Sequence, residues 1–424
     1  MHHVILGAGP AGVIAAETIR KHQPGDAITI VGDEKEPPYS RMAIPYLLMG
    51  NIAEQGTWLR KGLGHFEALQ IKLVQARASS VDVGTRTVAL DNGQQLRFDT
   101  LLIATGSNPI RPPVPGIELP GVHPCWTLDD ARKIMGLAVK GARVLQMGAG
   151  FIGCIIMEAL AARGVHLSVV EMGDRMVPRM MGPTAGGMIK EWCEQKGVEV
   201  FTGTRVEAIE AATPLSVKLS NGTRVAANLV ISATGVRPAI GFLENSGVRC
   251  LLGVLTDEHM QTNVPGIYAA GDCAEAFDKI SGKMMVSAIQ PNAADQARVA
   301  GLNMAGQKAL LPGVTQINVL DTLGLVSASF GDWQGVPGGE QVELTDRAAG
   351  RHLSLQFKGD VMVGCNSIGW MDHVGVLRGL VEGQVKLGPW KDHLKQDPTR
   401  LMEAYLASAQ GGGQWQGAGD ARRR

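Results

Sequence analysis

Aromatic residues make up only 4% of this 424-residue chain, and neither sign of charge is in excess, with Lys+Arg and Asp+Glu both at 40. A balanced chain lacks the electrostatic footprint that nucleic acid or an anionic membrane surface requires. Sparse aromatics also provide no platform for stacked bases. No run of about 18 uninterrupted apolar residues occurs, so no transmembrane helix is expected. The N-terminus, MHHVILGAGP, enters an apolar strand at once. Without a basic segment leading into a long apolar one, no signal peptide is expected. The six cysteines (Cys125, Cys154, Cys193, Cys250, Cys273 and Cys365) are scattered, with no C-x-x-C pair. Neither a zinc site nor a disulfide framework is signalled, and a reducing cytoplasm is the expected compartment. His65, His123 and His373 show no metal-ligand spacing either, so no metal site is expected.

Glycine is abundant instead, at 55 residues, close to twice the average share of about 7%. No G-X-Y period accompanies it, so collagen is excluded. Many tight turns and close ligand approaches are implied. At roughly 100–200 residues per domain, the length predicts two to four domains.

Internal repetition organises the chain. Val4-Ile5-Leu6 leads into Gly7-Ala8-Gly9-Pro10-Ala11-Gly12, then an apolar helical stretch, then the strand-like run Ala27–Val31. The same order returns from Arg143–Met147 into Gly148-Ala149-Gly150-Phe151-Ile152-Gly153, a helix, and His166–Val170 ending in Glu171. Each unit has a later partner strand. Leu101–Ala104 ends in Thr105-Gly106, and Leu229–Thr234 ends in Gly235. Two such units predict an α/β fold with two doubly wound dinucleotide-binding domains. Proline is dense from Pro109 to Pro120, which reads as a stiff connector. From about Leu311 a third, α+β piece has alternating strand-like segments such as Arg351–Phe357 and Val361–Val363, followed by two apolar helical stretches around Val374–Leu380 and Leu401–Leu406.

The chemistry follows from the G-x-G-x-x-G spacing. Only glycine lets the chain turn sharply and bring its backbone against a pyrophosphate, and the following helix directs N–H groups and its positive dipole end at the anion. An acid ending the second strand would hold the adenosine ribose. In the second unit this is Glu171. In the first the sequence offers Asp33 and Glu34, and spacing does not choose between them.

These residues resemble the FAD-dependent pyridine nucleotide-disulfide oxidoreductases, in the branch of rubredoxin and ferredoxin reductases, NADH oxidases and nitrite reductase flavin domains. The resemblance is strong over residues 3–310 and weak over 311–408. Its most specific element is Thr262–Cys273, which ends in Gly271-Asp272-Cys273. The runs Ile30–Glu34, Pro38–Arg41 and Gln290–Ala297 are also similar. The resemblance implies that the first unit binds FAD, with Asp272 at the ribityl chain. It makes Asp33 the ribose acid and places Arg41 near the pyrophosphate, with Ala78 and Gln290 at backbone contacts to adenine and isoalloxazine. It implies NAD(P)H at the second unit, a small electron-carrier protein as acceptor, and a homodimer. The Glu171 carboxylate, which a 2′-phosphate would face, makes NADH rather than NADPH the expected nucleotide. The implied domains are residues 1–112 and 241–312 for FAD, 113–240 for NAD inserted between them, and 313–408 as a C-terminal interface domain. A disordered tail is expected over 409–424.

Departures from the family pattern shape the expected chemistry. Met42 stands where disulfide-using members place a redox cysteine, and a thioether forms no mixed disulfide. Tyr46 stands where ferredoxin reductases carry a lysine near the flavin. Ile155 stands where many members have a glutamate near the nicotinamide. The Phe-Trp-Ser-Asp run of ferredoxin reductases is missing. The expected activity is therefore NADH:acceptor oxidoreduction without a redox thiol. An NADH oxidase or small-molecule reductase, and a flavin-bearing structural subunit of a larger redox complex, are the alternatives.

Overall fold

Short apolar runs buried on both faces form the two central sheets, as expected of parallel strands covered on each side. The computed structural model describes residues 1–370 and 372–410, so the expected tail lies, from residue 411 onward, outside the described residues. Chain contacts divide the molecule into two units. The first comprises Met1–Ile110, Trp126–Ala131 and Val236–Val314, and the second comprises Arg111–Cys125, Arg132–Gly235 and the chain from Thr315 onward.

The first unit is built on five parallel strands in the order Ile267–Ala269, Thr100–Ile103, His2–Leu6, Ala27–Gly32, Ile71–Gln75. Val4, Ile5 and Leu6 are almost fully buried in it. The helix Pro10–His22 opens with proline at its start and closes on Arg20, Lys21 and His22, both favourable given fixed φ and the helix dipole. It lies against the helix Gln290–Met304. Gly301 makes this approach possible, because a Cβ there would lie 3.0 Å from the Ala15 carbonyl oxygen. A three-stranded antiparallel sheet, Ala78–Asp82, Thr87–Leu90 and Gln95–Arg97, and a smaller mixed sheet of Val254–Leu255, Ala274–Phe277 and Met284–Val286 belong to the same unit.

The second unit repeats this plan. Its parallel order is Glu199–Phe201, His166–Val170, Arg143–Met147, Leu229–Ser232, Val122–Pro124, beside an antiparallel sheet of Val206–Glu210, Leu215–Leu219 and Arg224–Ala227. In both sheets the strand before the glycine loop is central and its two neighbours run off to opposite sides. This is the switch point outside whose carboxyl end ligands bind.

Val236–Pro238 pairs with Ser107–Pro109, which ties the chain after Gly235 to the first unit. The proline-rich stretch is docked more than it is a connector. Ile209 donates its N–H to the Pro115 carbonyl at 2.8 Å, and Val114, Ile117 and Leu119 pack on the core under the antiparallel sheet. The C-terminal stretch forms a five-stranded antiparallel sheet with helices Val374–Glu382, Trp390–Gln396 and Leu401–Tyr405. It groups with the second unit. The tip of its first hairpin is held there on both sides. Leu323 N–H donates to Glu158 at 2.6 Å, and the Trp192 indole donates to the Leu323 carbonyl at 3.1 Å. No described helix is long and apolar enough to cross a membrane.

Candidate dinucleotide sites

The three glycines of each loop have different jobs. Gly7 is left-handed at φ +119°, and a Cβ on it would lie 2.0 Å from the Ala104 carbonyl oxygen. A Cβ on Gly12 would lie 1.9 Å from the Gly7 oxygen. These two glycines are therefore required by the fold itself. Gly9 differs, because a Cβ there would meet nothing within 4 Å. Backbone there faces open space at the start of the helix Pro10–His22, whose first residues are Pro10 and Ala11. This is the cradle that a dinucleotide pyrophosphate needs, and the residues present fit such a group.

The second loop repeats the division of labour. Gly148 (φ +96°) approaches the Ala233 carbonyl, Gly153 approaches Gly148, and Gly150 has nothing within 4 Å. Phe151 and Ile152, both half-buried, start the helix Phe151–Ala162. Gly235, at φ +111°, follows the strand Leu229–Ser232. Glu171 accepts hydrogen bonds from the N–H groups of Ala149 (2.8 Å) and Gly173 (2.7 Å), so its carboxylate is held at the loop. Arg175 is committed elsewhere. Its guanidinium donates to Met181 O at 2.9 Å and Asp174 at 2.7 Å, with a longer contact to Pro178 O.

Register shows which residue matches Glu171 in the first unit. Gly7 N–H donates to Val31 O, and Gly148 N–H donates to Val170 O. Gly32 is therefore level with Glu171, and a Cβ on it would lie 2.8 Å from the Ala8 methyl. Asp33 and Glu34 come one and two residues later. Asp33 is paired with Arg77 at 2.7 Å and is well exposed. Glu34 accepts from the Tyr39 hydroxyl (2.6 Å) and from Arg41 (2.8 Å).

Arg41 anchors a cluster in this unit. Its guanidinium also lies over the Trp126 ring, 5.1 Å from the centroid. The Trp126 indole donates to the Ser107 carbonyl at 2.9 Å, and the Ser107 hydroxyl donates to Asp272 at 3.1 Å. Burial raises the Asp272 carboxyl above the usual carboxylate range, against the pull of Ser107 and Arg41. Burial likewise raises the Tyr39 phenol, helped by Glu34. Gly271 seats this loop against the Ala11 methyl and hands its N–H to Gln296 at 2.7 Å. Thr105 donates to the Ala239 carbonyl at 2.8 Å, and Gly106 follows it at φ +66°. Gln290 begins its helix and accepts from the Ser40 hydroxyl at 3.2 Å. Ala78 is buried at the head of the antiparallel sheet. Sequence reading missed Ser107, Trp126 and Gln146, and took Tyr39 only as part of the run Pro38–Arg41. Gln146 did leave a signal, as a polar residue inside the apolar run Val144–Met147.

The residues at the departures are also placed. Met42 and Tyr46 are exposed, at 51% and 53%, and Ile155 is half-buried. Cys154 and Cys273 are fully buried. Burial raises both thiols above their ordinary range, so neither ionises readily. His65 is paired with Glu17 at 2.8 Å, which gives it a structural role.

The family model described as pyridine nucleotide-disulphide oxidoreductase matches residues 1–300. The epsilon subunit of an NADH-dependent phenylglyoxylate dehydrogenase from Aromatoleum evansii is 30% identical over 96% of this chain and 97% of its own length. An NADH oxidase of Methanocaldococcus jannaschii is 32% identical, over 73% of this chain and 71% of that protein. An NADH-rubredoxin oxidoreductase of Clostridium acetobutylicum is 27% identical, over 78% and 81%. Among solved structures, a NAD-dependent persulfide reductase from A. fulgidus superposes with a TM-score of 0.86 at 28% identity, covering 92% of this chain and 79% of that one. The chain belongs to the pyridine nucleotide-disulphide oxidoreductase family, as an FAD-dependent oxidoreductase of pyridine nucleotides.

Proposed function

We propose that this protein takes hydride from NADH and passes electrons to a small redox protein of the rubredoxin or ferredoxin type, without a protein thiol. The observation that carries this reading is the pair of glycine loops, each with its middle glycine facing open space, in a chain whose loop-adjacent thiols are buried. In the first unit, Gly7, Gly9 and Gly12 bring backbone to the FAD pyrophosphate, and Arg41 supplies positive charge nearby. Asp33 and Glu34 serve the ribose end, and Asp272 accepts from the ribityl chain. Ala78 and Gln290 give backbone contacts, and Thr105-Gly106 tie down the adjacent loop. In the second unit, Gly148, Gly150 and Gly153 receive the NADH pyrophosphate while Glu171 faces its ribose. When bound, FAD accepts the hydride and releases the electrons singly or in pairs, which the protein alone cannot do. A homodimer in the cytoplasm completes the proposal. The test is rapid mixing of the purified yellow protein with NADH, followed by challenge of the reduced form with rubredoxin, ferredoxin, oxygen and disulfides. Prompt bleaching with fastest reoxidation by a carrier is expected, and absence of bleaching overturns the reading.

A second reading is favoured by one observation. The Aromatoleum evansii relative, 30% identical and matched over 97% of its length, is by its name a subunit of a dehydrogenase. In that reading the C-terminal sheet serves assembly, and the flavin exchanges electrons with a neighbouring subunit. Co-purification of partner subunits with the native protein distinguishes the two.

A further inference from the structure

The two glycine loops of this chain are built on the same plan, so each serves as an internal control for the other. They differ underneath. In the first unit, the residue two before Gly7 is Ile5, whose Cγ2 would lie 3.3 Å from a Cβ on Gly12. In the second unit, the matching residue is Gln146, fully buried in the strand Arg143–Met147. Its side-chain amide donates to the Gly148 carbonyl and the Gly153 carbonyl, both at 2.9 Å. The opposite amide orientation would set its oxygen against two carbonyl oxygens, so the assignment is fixed by chemistry. A Cβ on Gly12 would stand 1.9 Å from the Gly7 oxygen, whereas one on Gly153 would stand 2.5 Å from the Gly148 oxygen and 3.0 Å from the Gln146 amide nitrogen. The glutamine is wedged between the first and third glycines.

A second brace acts from the side. Glu171 holds the Ala149 N–H, and Val177 N–H donates to the Ala149 carbonyl at 2.9 Å. The first loop has Gly32 where Glu171 stands. Its Ala8-Gly9 segment therefore carries no side-chain brace at either equivalent position.

No donor among the described residues reaches the Gln146 Oε1, which is fully buried. An unmade hydrogen bond there costs stability. An apolar residue, as in the first unit, would fill the site without that cost. Set against the two bonds its amide makes, this cost means that a net gain in stability does not by itself account for Gln146.

We propose that Gln146 is a positioning residue for the pyridine nucleotide. By tying Gly148 to Gly153 from below, it sets where the Ala149-Gly150 backbone meets the pyrophosphate. This rests on the reading of the second loop as the NADH site. The groups facing the loop are then preset before the nucleotide arrives, and affinity gains from not having to order them on binding.

The experiment compares the parent with Gln146→Met, which is close in volume, Gln146→Leu, and Gly150→Val. Flavin reduction by NADH is followed by rapid mixing over a range of concentrations, beside FAD content and thermal midpoint. Gln146→Met and Gln146→Leu should retain FAD and melt no lower than the parent. Their half-saturating NADH should rise about tenfold, as expected for about 1.4 kcal/mol of binding, with the saturated rate unchanged. Gly150→Val should abolish saturation altogether. If half-saturation is unchanged in both Gln146 variants, or rises only in step with lost FAD and lower melting, the brace has no positioning role. If Gly150→Val is reduced like the parent, the nucleotide binds elsewhere and the reading of the loop itself falls.

Discussion

The Ser107 hydroxyl donates to Oδ2 of Asp272 at 3.1 Å, joining the end of one segment of the first unit to a loop that the chain reaches 165 residues later. This bond leaves the other carboxylate oxygen of Asp272 free of it. Asp272→Ala removes a charged acceptor from the proposed ribityl contact, worth about 1.5–3 kcal/mol. FAD should then be lost on dialysis from the variant and kept by the parent, as read from the absorbance ratio of flavin to protein.

Gly9 and Gly12 should give opposite results although they share one motif. A Cβ at Gly9 meets nothing within 4 Å, and its backbone, at φ −79°, suits any residue. The Gly9→Ala apoprotein should keep its stability within about 0.5 kcal/mol yet bind FAD weakly. Gly12→Ala places a methyl on the Gly7 carbonyl and should cost on the order of 4 kcal/mol. Denaturant unfolding of the two apoproteins, beside FAD titration, checks both halves.

NADH should be preferred to NADPH. A 2′-phosphate would meet the Glu171 carboxylate, and like charges about 4 Å apart cost roughly 4 kcal/mol per pair at an effective dielectric near 20. Arg175 is the cation nearest in sequence, and its guanidinium is already engaged with Met181 and Asp174. After solvent screening, a ratio in kcat/KM of about tenfold to a thousandfold is expected. Glu171→Gln removes the charge while keeping an acceptor for the loop, so the ratio should fall. An unchanged ratio would count against Glu171 as the selector.

Thiol chemistry should be dispensable. Cys154→Ala and Cys273→Ala should leave flavin reduction by NADH within about tenfold of the parent, equal to about 1.36 kcal/mol in the barrier. A larger loss with FAD content preserved would restore a thiol mechanism.

Stability should decline on mild acidification. Burial lowers the His3 pKa, against the opposing effect of Asp26, and His352 is lowered chiefly by burial too. A histidine lowered in the folded state contributes stability that is present above its unfolded pKa, about 6.5. That stability is lost as pH falls below this value, because the unfolded chain takes up the proton first. Each such group steepens the slope by up to about 1.4 kcal/mol per pH unit. Thermal midpoints between pH 7.5 and 5 should fall less steeply for His3→Gln than for the parent.

The two glycine loops, their strand–turn–helix settings and Glu171 could all be read from the residues. Their requirements are local: a positive φ, a missing Cβ and an apolar run of strand length leave their mark within a few neighbours. Ala78 and Gln290 rested on resemblance alone, because backbone contacts leave little trace in side-chain identity. Tertiary structure alone decided the rest. It set Gly32, not Asp33, level with Glu171, through strand register. It assembled Arg41, Trp126, Ser107 and Asp272 from distant segments, locked Arg175 onto carbonyl oxygens, and turned Gln146 from an oddity in an apolar strand into a brace. Each of these depends on which backbone atoms a side chain meets after the sheet has formed, and that is a property of packing across the chain rather than of any short stretch of it.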